Sequence, residues 1–214
     1  FKLFKFARIL EEASGTDEFL EETRLQYQEL IDADTRDIAP SQSADVERFW
    51  ARWRNHYGDS GLKNPRGDRL LTELATRAIA DLRPRLMMIN YQDPDYVHWG
   101  NASHYTRAIS VIDEGLAQLV KAVDADPEYR DNTVFVVTPD CGRDANPLMD
   151  VPFQHHFNSR SAHETWALFF GPGIEQNRIF DKAVDQSAIA PTVGAVMGFQ
   201  ASESEGSAIS EIFA

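Results

Sequence analysis

Length, composition and charge already exclude several classes of function. The chain has 214 residues, of which 34 are acidic and 21 are basic, so its formal net charge is −13. This charge argues against nucleic acid or an anionic membrane as the main partner, because both require a basic footprint. No apolar run reaches the length of a membrane span, and the single cysteine, Cys141, cannot form an internal disulfide. The hydrophobic fraction of 43% is typical of a globular domain with a core.

The N-terminal part of the chain, residues 1–60, predicts a helical arm or insertion. Its second predicted helix carries an aromatic stripe of Phe49, Trp50 and Trp53, which we interpret as packing surface. The turn-rich segment GDSGLKNPRG marks the predicted boundary, so that residues 65–214 form the core. Because the sequence begins with FKLFKFARIL and has no initiating Met, we expect it to be a piece of a longer precursor or a processed chain.

Helix and strand patterns alternate through this core. Helical periodicity predicts one helix capped by Asp68, a second capped by Asn101, and a final helix that ends at Gly198. Continuous apolar runs predict buried strands at 86–91, 133–138 and 165–170. Helices that alternate with strands of this kind are typical of a parallel sheet. We therefore predict an α/β fold in which helices sandwich a mostly parallel sheet.

Polar side chains follow the first predicted strand directly. The stretch LMMINYQDPDYVHWGN brings Asp93, Asp95 and His98 immediately after the apolar run, and Pro94 ends the strand. Oxygen and nitrogen ligands at the carboxyl end of a buried strand suit a divalent metal ion. The alternative is an ordinary polar loop in which Asp93 turns the chain.

The second predicted strand ends in the same way as the first. Asp140 follows it within PDCGRD, and Cys141 comes next. A long loop then holds His155 and His156, and His163 precedes the third predicted strand. Open α/β sheets build their sites at the carboxyl ends of strands, so the repeated Asp is informative.

Four segments together resemble the C-terminal half of the alkaline phosphatase-like superfamily, which includes phosphodiesterases, sulfatases and cofactor-independent phosphoglycerate mutases. They are INYQDPDYVHWGN, VVTPDCGRD, SAHETWALFFGPGI and QSAIAPTVGAVMGF, in the order in which the family has its counterparts. The resemblance covers roughly residues 65–214. Two departures are visible. The family usually has His where this chain has Cys141, and it usually places a His four residues after the metal-binding Asp rather than three.

The resemblance implies which residues hold metal. Carried over by position, Asp95, His98 and His163 would bind one divalent ion, with Asp93 as the reserve for Asp95, and Asp140 with Cys141 would bind another. A cysteine thiolate is a good zinc ligand, so zinc is the expected metal. The alternative for Cys141 is a small buried side chain at a lost site.

Two further histidines, His155 and His156, are either contacts for the substrate oxyanion or ordinary loop residues. The function that the resemblance implies is metal-dependent hydrolysis of phosphate or sulfate esters, with two metal ions and a covalent intermediate. The substrate would be a small anionic ester. No nucleophile can be named in this sequence, so the segment that bears it is expected outside this chain.

The rival hypothesis is a non-catalytic binding or structural module that keeps the fold and has a degenerate metal site. Cys141, the short spacing from Asp95 to His98 and the missing nucleophile favour this rival. The presence of Asp95, His98, Asp140 and His163 at three predicted strand ends favours the enzyme.

Overall fold

A computed structural model describes Leu25 and residues 43–57, 67–99, 101–144, 153–155 and 159–214. Contacts divide the chain into two units, residues 1–51 and 52–214, and the division falls within helix α1, Ser43–Tyr57. Apart from Leu25, residues 1–42 of the predicted arm lie outside the described residues. The predicted boundary between an arm and a core therefore stays a prediction.

Two long helices, α2 (Asp68–Leu82) and α3 (Ala102–Ala125), form the core of the second unit. Their apolar faces meet in a cluster whose buried members are Ala75, Ile79, Leu119 and Val123. The approach is close at Gly115, where an added Cβ would lie 2.5 Å from the Thr72 hydroxyl oxygen. Both helices confirm the helical periodicity read from the sequence.

The first turns of these helices are capped differently. The predicted cap of α3 is confirmed, because the Asn101 side chain accepts a hydrogen bond from the His104 backbone N–H at 3.1 Å. The predicted cap of α2 is wrong. Gly67 is the N-cap residue there, and helix α2 begins at Asp68. The Asp68 carboxylate accepts hydrogen bonds from the backbone of Gln92 and Asp93 instead.

The predicted parallel sheet is wrong. In the described part of the chain the sheet has two strands, β1 (Phe135–Val137) and β2 (Leu168–Phe170), and they pair antiparallel. The connection between them carries the four-residue helix α4, Arg160–His163, whereas a parallel pair is usually joined through a full crossover helix. Phe135 and Phe170 are partners across the two strands, and their rings stack at 4.8 Å between centroids. Phe135 also packs against the cluster between α2 and α3.

The segment 86–91, predicted as a core strand, belongs to no strand ladder of the described chain. Burial alternates along it. Met87 and Ile89 pack against the helical core, whereas Leu86 is 57% and Met88 is 92% exposed. The sequence reads as a continuous apolar run, but only one face of the segment is covered. A strand buried on both faces was therefore the wrong interpretation of these residues.

The C-terminal part follows the sequence pattern closely. A short 3-10 helix, Gln186–Ala188, leads into α5, Ile189–Met197. Gly198 ends α5 with a φ of 74°, a left-handed conformation that glycine adopts without strain. A last 3-10 helix, Ser210–Ile212, follows. Among the described helices, none combines the length and the apolar character needed to cross a membrane.

Candidate metal centre

Three side chains of the second unit converge on one point. Each of Asp95, His98 and His155 offers one ligand atom, and these atoms all lie within 4.8 Å of one another. Two ligands that bind one zinc ion at about 2.0–2.2 Å are at most about 4.4 Å apart. Side-chain movements of less than about 1 Å would therefore bring these atoms to bonding distance from one ion.

The local helix type explains why Asp95 and His98 face the same way. Both lie on a 3-10 helix, Asp93–Trp99, and we call this element the ligand helix. A 3-10 helix has three residues per turn, so side chains three positions apart are eclipsed. The distance from Asp95 Oδ1 to His98 Nε2 is 2.8 Å. The spacing of three, which departs from the family pattern, is thus the spacing that this helix requires.

A buried carboxylate fixes the start of the ligand helix. Asp68, which is 2% exposed, accepts hydrogen bonds from the backbone N–H groups of Gln92 at 2.9 Å and Asp93 at 2.8 Å. In return, the backbone N–H of Asp68 lies 3.3 Å from the Asp93 carboxylate, to which it donates. Burial raises the pKa of Asp68, and the two backbone hydrogen bonds act in the opposite direction. These hydrogen bonds therefore join the N-terminal end of helix α2 to the N-terminal end of the ligand helix.

Gln154 sets the tautomer of His98. Its amide oxygen lies 2.6 Å from His98 Nδ1, and because that oxygen can only accept, Nδ1 carries the hydrogen. The amide nitrogen of Gln154 donates to the His98 backbone carbonyl. The other ring nitrogen, Nε2, lies on the side that faces Asp95 and is the one left for a metal ion. Metal-binding histidines are usually held through their second ring nitrogen in this manner.

Arg143 lies against the same two ligand atoms. Its Nη2 donates to Asp95 Oδ1 at 2.8 Å, and its Nη1 lies 3.1 Å from His98 Nε2. The guanidinium of Arg143, and after it the imidazole of His98, lowers the pKa of Asp95, while partial burial opposes this effect. The Asp95 carboxylate is therefore ionised near neutral pH, the form in which it binds a metal.

Backbone hydrogen bonds bring the third ligand to this place. The Asp144 N–H donates to the Gln154 carbonyl at 2.6 Å, and the Phe153 N–H donates to the Asp144 carbonyl at 2.8 Å. These bonds set residues 153–155 beside Arg143. The His155 ring then meets the His98 ring edge to face, with 4.7 Å between centroids.

The remaining predicted ligands are placed elsewhere. Asp140, Cys141 and His163 form no group of three ligand atoms of this kind among the described residues. The Asp140 carboxylate accepts from the Cys141 backbone N–H at 2.8 Å. Burial, followed by the charge of Asp140, raises the pKa of the half-buried Cys141 thiol. His156 lies outside the described residues, so its predicted contact with substrate stays a prediction.

The loop around Cys141 nevertheless lies close to the helix that ends at His163. The Gly142 N–H donates to the Ala162 carbonyl at 2.8 Å, and an added Cβ at Gly142 would lie only 1.8 Å from the Ser161 carbonyl oxygen. Only glycine fits this approach, which carries the chain from Asp140 to Arg143.

The donor set suits zinc. One carboxylate and two imidazoles are the nitrogen and oxygen ligands that zinc takes in proteins, and three protein ligands leave a fourth position open. Harder ions such as Mg²⁺ and Ca²⁺ prefer oxygen ligands alone. Two imidazoles and one carboxylate also suit other divalent transition metal ions, so zinc, which was expected from Cys141, stays a prediction.

Sequence reasoning did not assign three contributions to this site. These are the place of His155 among the ligands, the contact of Arg143 with both ligand atoms, and the role of Gln154 in holding His98. Of the three, only the contact of Arg143 had a signal in the sequence. Arg143 directly follows Asp140, Cys141 and Gly142, and this segment contains two predicted metal ligands.

Comparison with known proteins found no matching family model, no similar curated protein and no similar solved structure. The resemblance to the alkaline phosphatase-like superfamily therefore stays a prediction from the sequence.

Proposed function

We propose that this chain binds a divalent transition metal ion, zinc by preference, through Asp95, His98 and His155, and that the site hydrolyses phosphate or sulfate esters. The observation that carries the proposal is the convergence of these three ligand atoms within 4.8 Å. Such an ion would supply Lewis-acid chemistry at the ester group.

The open coordination position supports a catalytic rather than a structural site. Structural zinc ions usually have four protein ligands, whereas catalytic zinc ions usually have three. His155 and Asp95 are exposed, so the cluster is accessible from solvent.

Local charge supports an anionic substrate. Asp95 contributes one negative charge and Arg143 one positive charge, so a divalent ion would leave the immediate site positive. This local field can attract an anionic ester although the whole chain carries a formal net charge of −13. Carboxylates on the distant surface have little effect on the site, because solvent and salt screen their charge beyond about 10 Å.

The second candidate is a non-catalytic binding module. The ion pair between Arg143 and Asp95 favours it, because a guanidinium already neutralises the carboxylate. A module of this kind would bind the metal ion, or an anion beside it, without turning over an ester.

Zinc titration of two ligand variants tests the site. Asp95→Asn and His98→Ala should each weaken zinc binding at least about tenfold, because each removes a ligand. The matched controls are Asp113→Asn and His104→Ala, which change the same residue types at exposed positions of α3. Equal zinc affinity in the ligand variants and the controls would rule out the site.

Turnover separates the two candidate functions. Because a zinc ion would lower the pKa of a bound water and so supply a nucleophile without the missing segment, zinc-loaded protein should hydrolyse p-nitrophenyl phosphate, bis-p-nitrophenyl phosphate or p-nitrophenyl sulfate. Asp95→Asn should lose that activity. Zinc binding that depends on Asp95, with no turnover of any of the three esters, would favour the binding module instead.

A further inference from the structure

The Arg143 guanidinium makes four contacts, and two of them are with metal ligands. Nη1 meets His98 Nε2 at 3.1 Å and the Phe153 carbonyl at 3.2 Å. Nη2 meets Asp95 Oδ1 at 2.8 Å and the Pro94 carbonyl at 3.4 Å. The Arg143 side chain is only 11% exposed. The guanidinium thus occupies the place where the two ligand atoms converge.

Metal binding must remove one of these contacts. Because Nδ1 is bound to Gln154, Nε2 is the nitrogen of His98 that is left for a metal ion. A metal ion at Nε2 would take the place where Nη1 of Arg143 now lies, 3.1 Å from that nitrogen. The Asp95 carboxylate has further lone pairs and can keep its contact with Nη2.

The guanidinium has little freedom to leave the site. Two backbone carbonyls, those of Pro94 and Phe153, also accept hydrogen bonds from it. An N–H that loses its acceptor in a mostly buried position is unfavourable, because neither water nor the protein replaces the hydrogen bond. A positive ion beside the guanidinium adds repulsion. Both costs are relieved by an anion that accepts the released N–H and neutralises the added charge.

We propose that Arg143 occupies the metal position in the ion-free protein and, once a zinc ion binds, becomes the recognition residue for a tetrahedral oxyanion. This inference rests on the proposed metal site and adds its substrate-recognition residue. Phosphate and sulfate groups share the required chemistry, since both present several acceptor oxygens to a guanidinium. Binding of the anion and binding of zinc should then reinforce each other, as linkage requires.

The test measures zinc affinity of the full chain by competition with a chromogenic chelator, with and without inorganic sulfate or methylphosphonate. In the original protein at least one of the two anions should raise zinc affinity about tenfold, and no response to either anion would overturn the inference. Arg143→Gln should bind zinc about fivefold more tightly without anion, because no guanidinium competes for His98. The same variant should lose most of the anion effect.

Two further variants make the result specific. Arg178→Gln removes the same charge from an arginine that pairs with Glu175 instead, and it should behave like the original protein. Arg143→Lys keeps the positive charge, and it should restore part of the anion effect that Arg143→Gln loses.

Further outcomes would also overturn the inference. Equal zinc affinity in the original protein and Arg143→Gln would overturn it while leaving the metal site standing, as would an anion effect that persists in Arg143→Gln. Absence of zinc binding from both proteins would overturn the inference together with the metal site. A response to sulfate but not to methylphosphonate, or the reverse, would support it and identify the preferred group.

Discussion

Gln154 holds the imidazole of His98 at two points, and this makes it a test of how the site is organised. Its amide oxygen accepts from Nδ1 at 2.6 Å, and its amide nitrogen donates to the backbone carbonyl of the same residue. Loss of such a partner typically costs about 10–100-fold in metal affinity. We therefore expect Gln154→Ala to weaken zinc binding about tenfold or more, measured by the same chelator competition.

The conservative variant separates positioning from packing. Gln154→Glu keeps an oxygen acceptor for Nδ1 and should retain tighter zinc binding than Gln154→Ala. Gln118→Ala, at an exposed position of α3, is the matched control. If Gln154→Ala binds zinc as tightly as this control, the hydrogen bond has no role in metal binding.

At the scale of single residues, sequence could predict the candidate ligands that are close in the chain but not those that are distant. Asp95 and His98 were predicted as a pair because both follow one apolar run. His155 and Arg143 come from other segments, and they reach the site through backbone hydrogen bonds between residues 144 and 153–154. No local pattern encodes such pairing, because it depends on how separate segments fold together.

At the scale of elements, Asp68 joins helix α2 to the ligand helix. Its carboxylate accepts from two backbone N–H groups, and an amide in its place can accept at only one oxygen. Asp68→Asn should therefore lower the free energy of unfolding by about 1–3 kcal/mol. It should also weaken zinc binding, because Asp95 and His98 are both carried by the helix that Asp68 caps. Urea unfolding and zinc titration of the same sample measure the two effects.

The control for this prediction is Asp113→Asn, which makes the same chemical change at an exposed position of α3. A decrease in stability with unchanged zinc affinity would show that Asp68 supports the fold alone and does not position the ligands. No effect on either measurement would contradict the role of Asp68 altogether.

Element boundaries were easier to predict than element pairing. Helices α2, α3 and α5 follow from apolar periodicity and from glycine, proline and asparagine signals at their ends. The direction of strand pairing does not follow from an apolar run, since a buried strand of either direction gives the same pattern. The predicted parallel sheet failed for this reason, and segment 86–91 failed because one-sided burial is invisible in a run that is apolar throughout.

At the scale of the whole unit, a charged corner joins the ends of the two core helices. Arg83, the C-cap of α2 with a φ of 53°, pairs with Asp126, the C-cap of α3, and with Glu128. The Arg83 guanidinium lies 4.7 Å from the centroid of the Tyr129 ring. The Tyr129 hydroxyl in turn donates to the Pro84 carbonyl at 3.0 Å. This corner closes the end of the helix pair where segment 86–91 begins.

The corner makes stability depend on acid in a defined direction. Hydrogen bonds from Arg83, and after them the backbone N–H of Glu128, lower the pKa of Asp126 from 3.8 to about 2. An acid with a lowered pKa stabilises the folded state above its unfolded pKa, and this contribution is lost as the pH falls towards the folded pKa. The stabilisation by Asp126 should therefore be fully present above about pH 5 and disappear between about pH 4 and pH 2.

Comparison with Asp126→Asn isolates this contribution from the other titrating groups, including Asp68, whose raised pKa acts in the opposite direction. We expect the free energy of unfolding of the original protein to exceed that of Asp126→Asn by a constant amount at neutral pH. The difference should shrink as the pH falls through the window in which Asp126 is protonated, because a neutral Asp126 pairs with Arg83 no better than an amide does. Urea unfolding at a series of pH values measures it, with Asp113→Asn as the control for loss of a carboxylate. A difference that stays constant down to pH values near the folded pKa would mean that the ion pair with Arg83 does not stabilise the corner, and that packing of Tyr129 holds the two helix ends together instead.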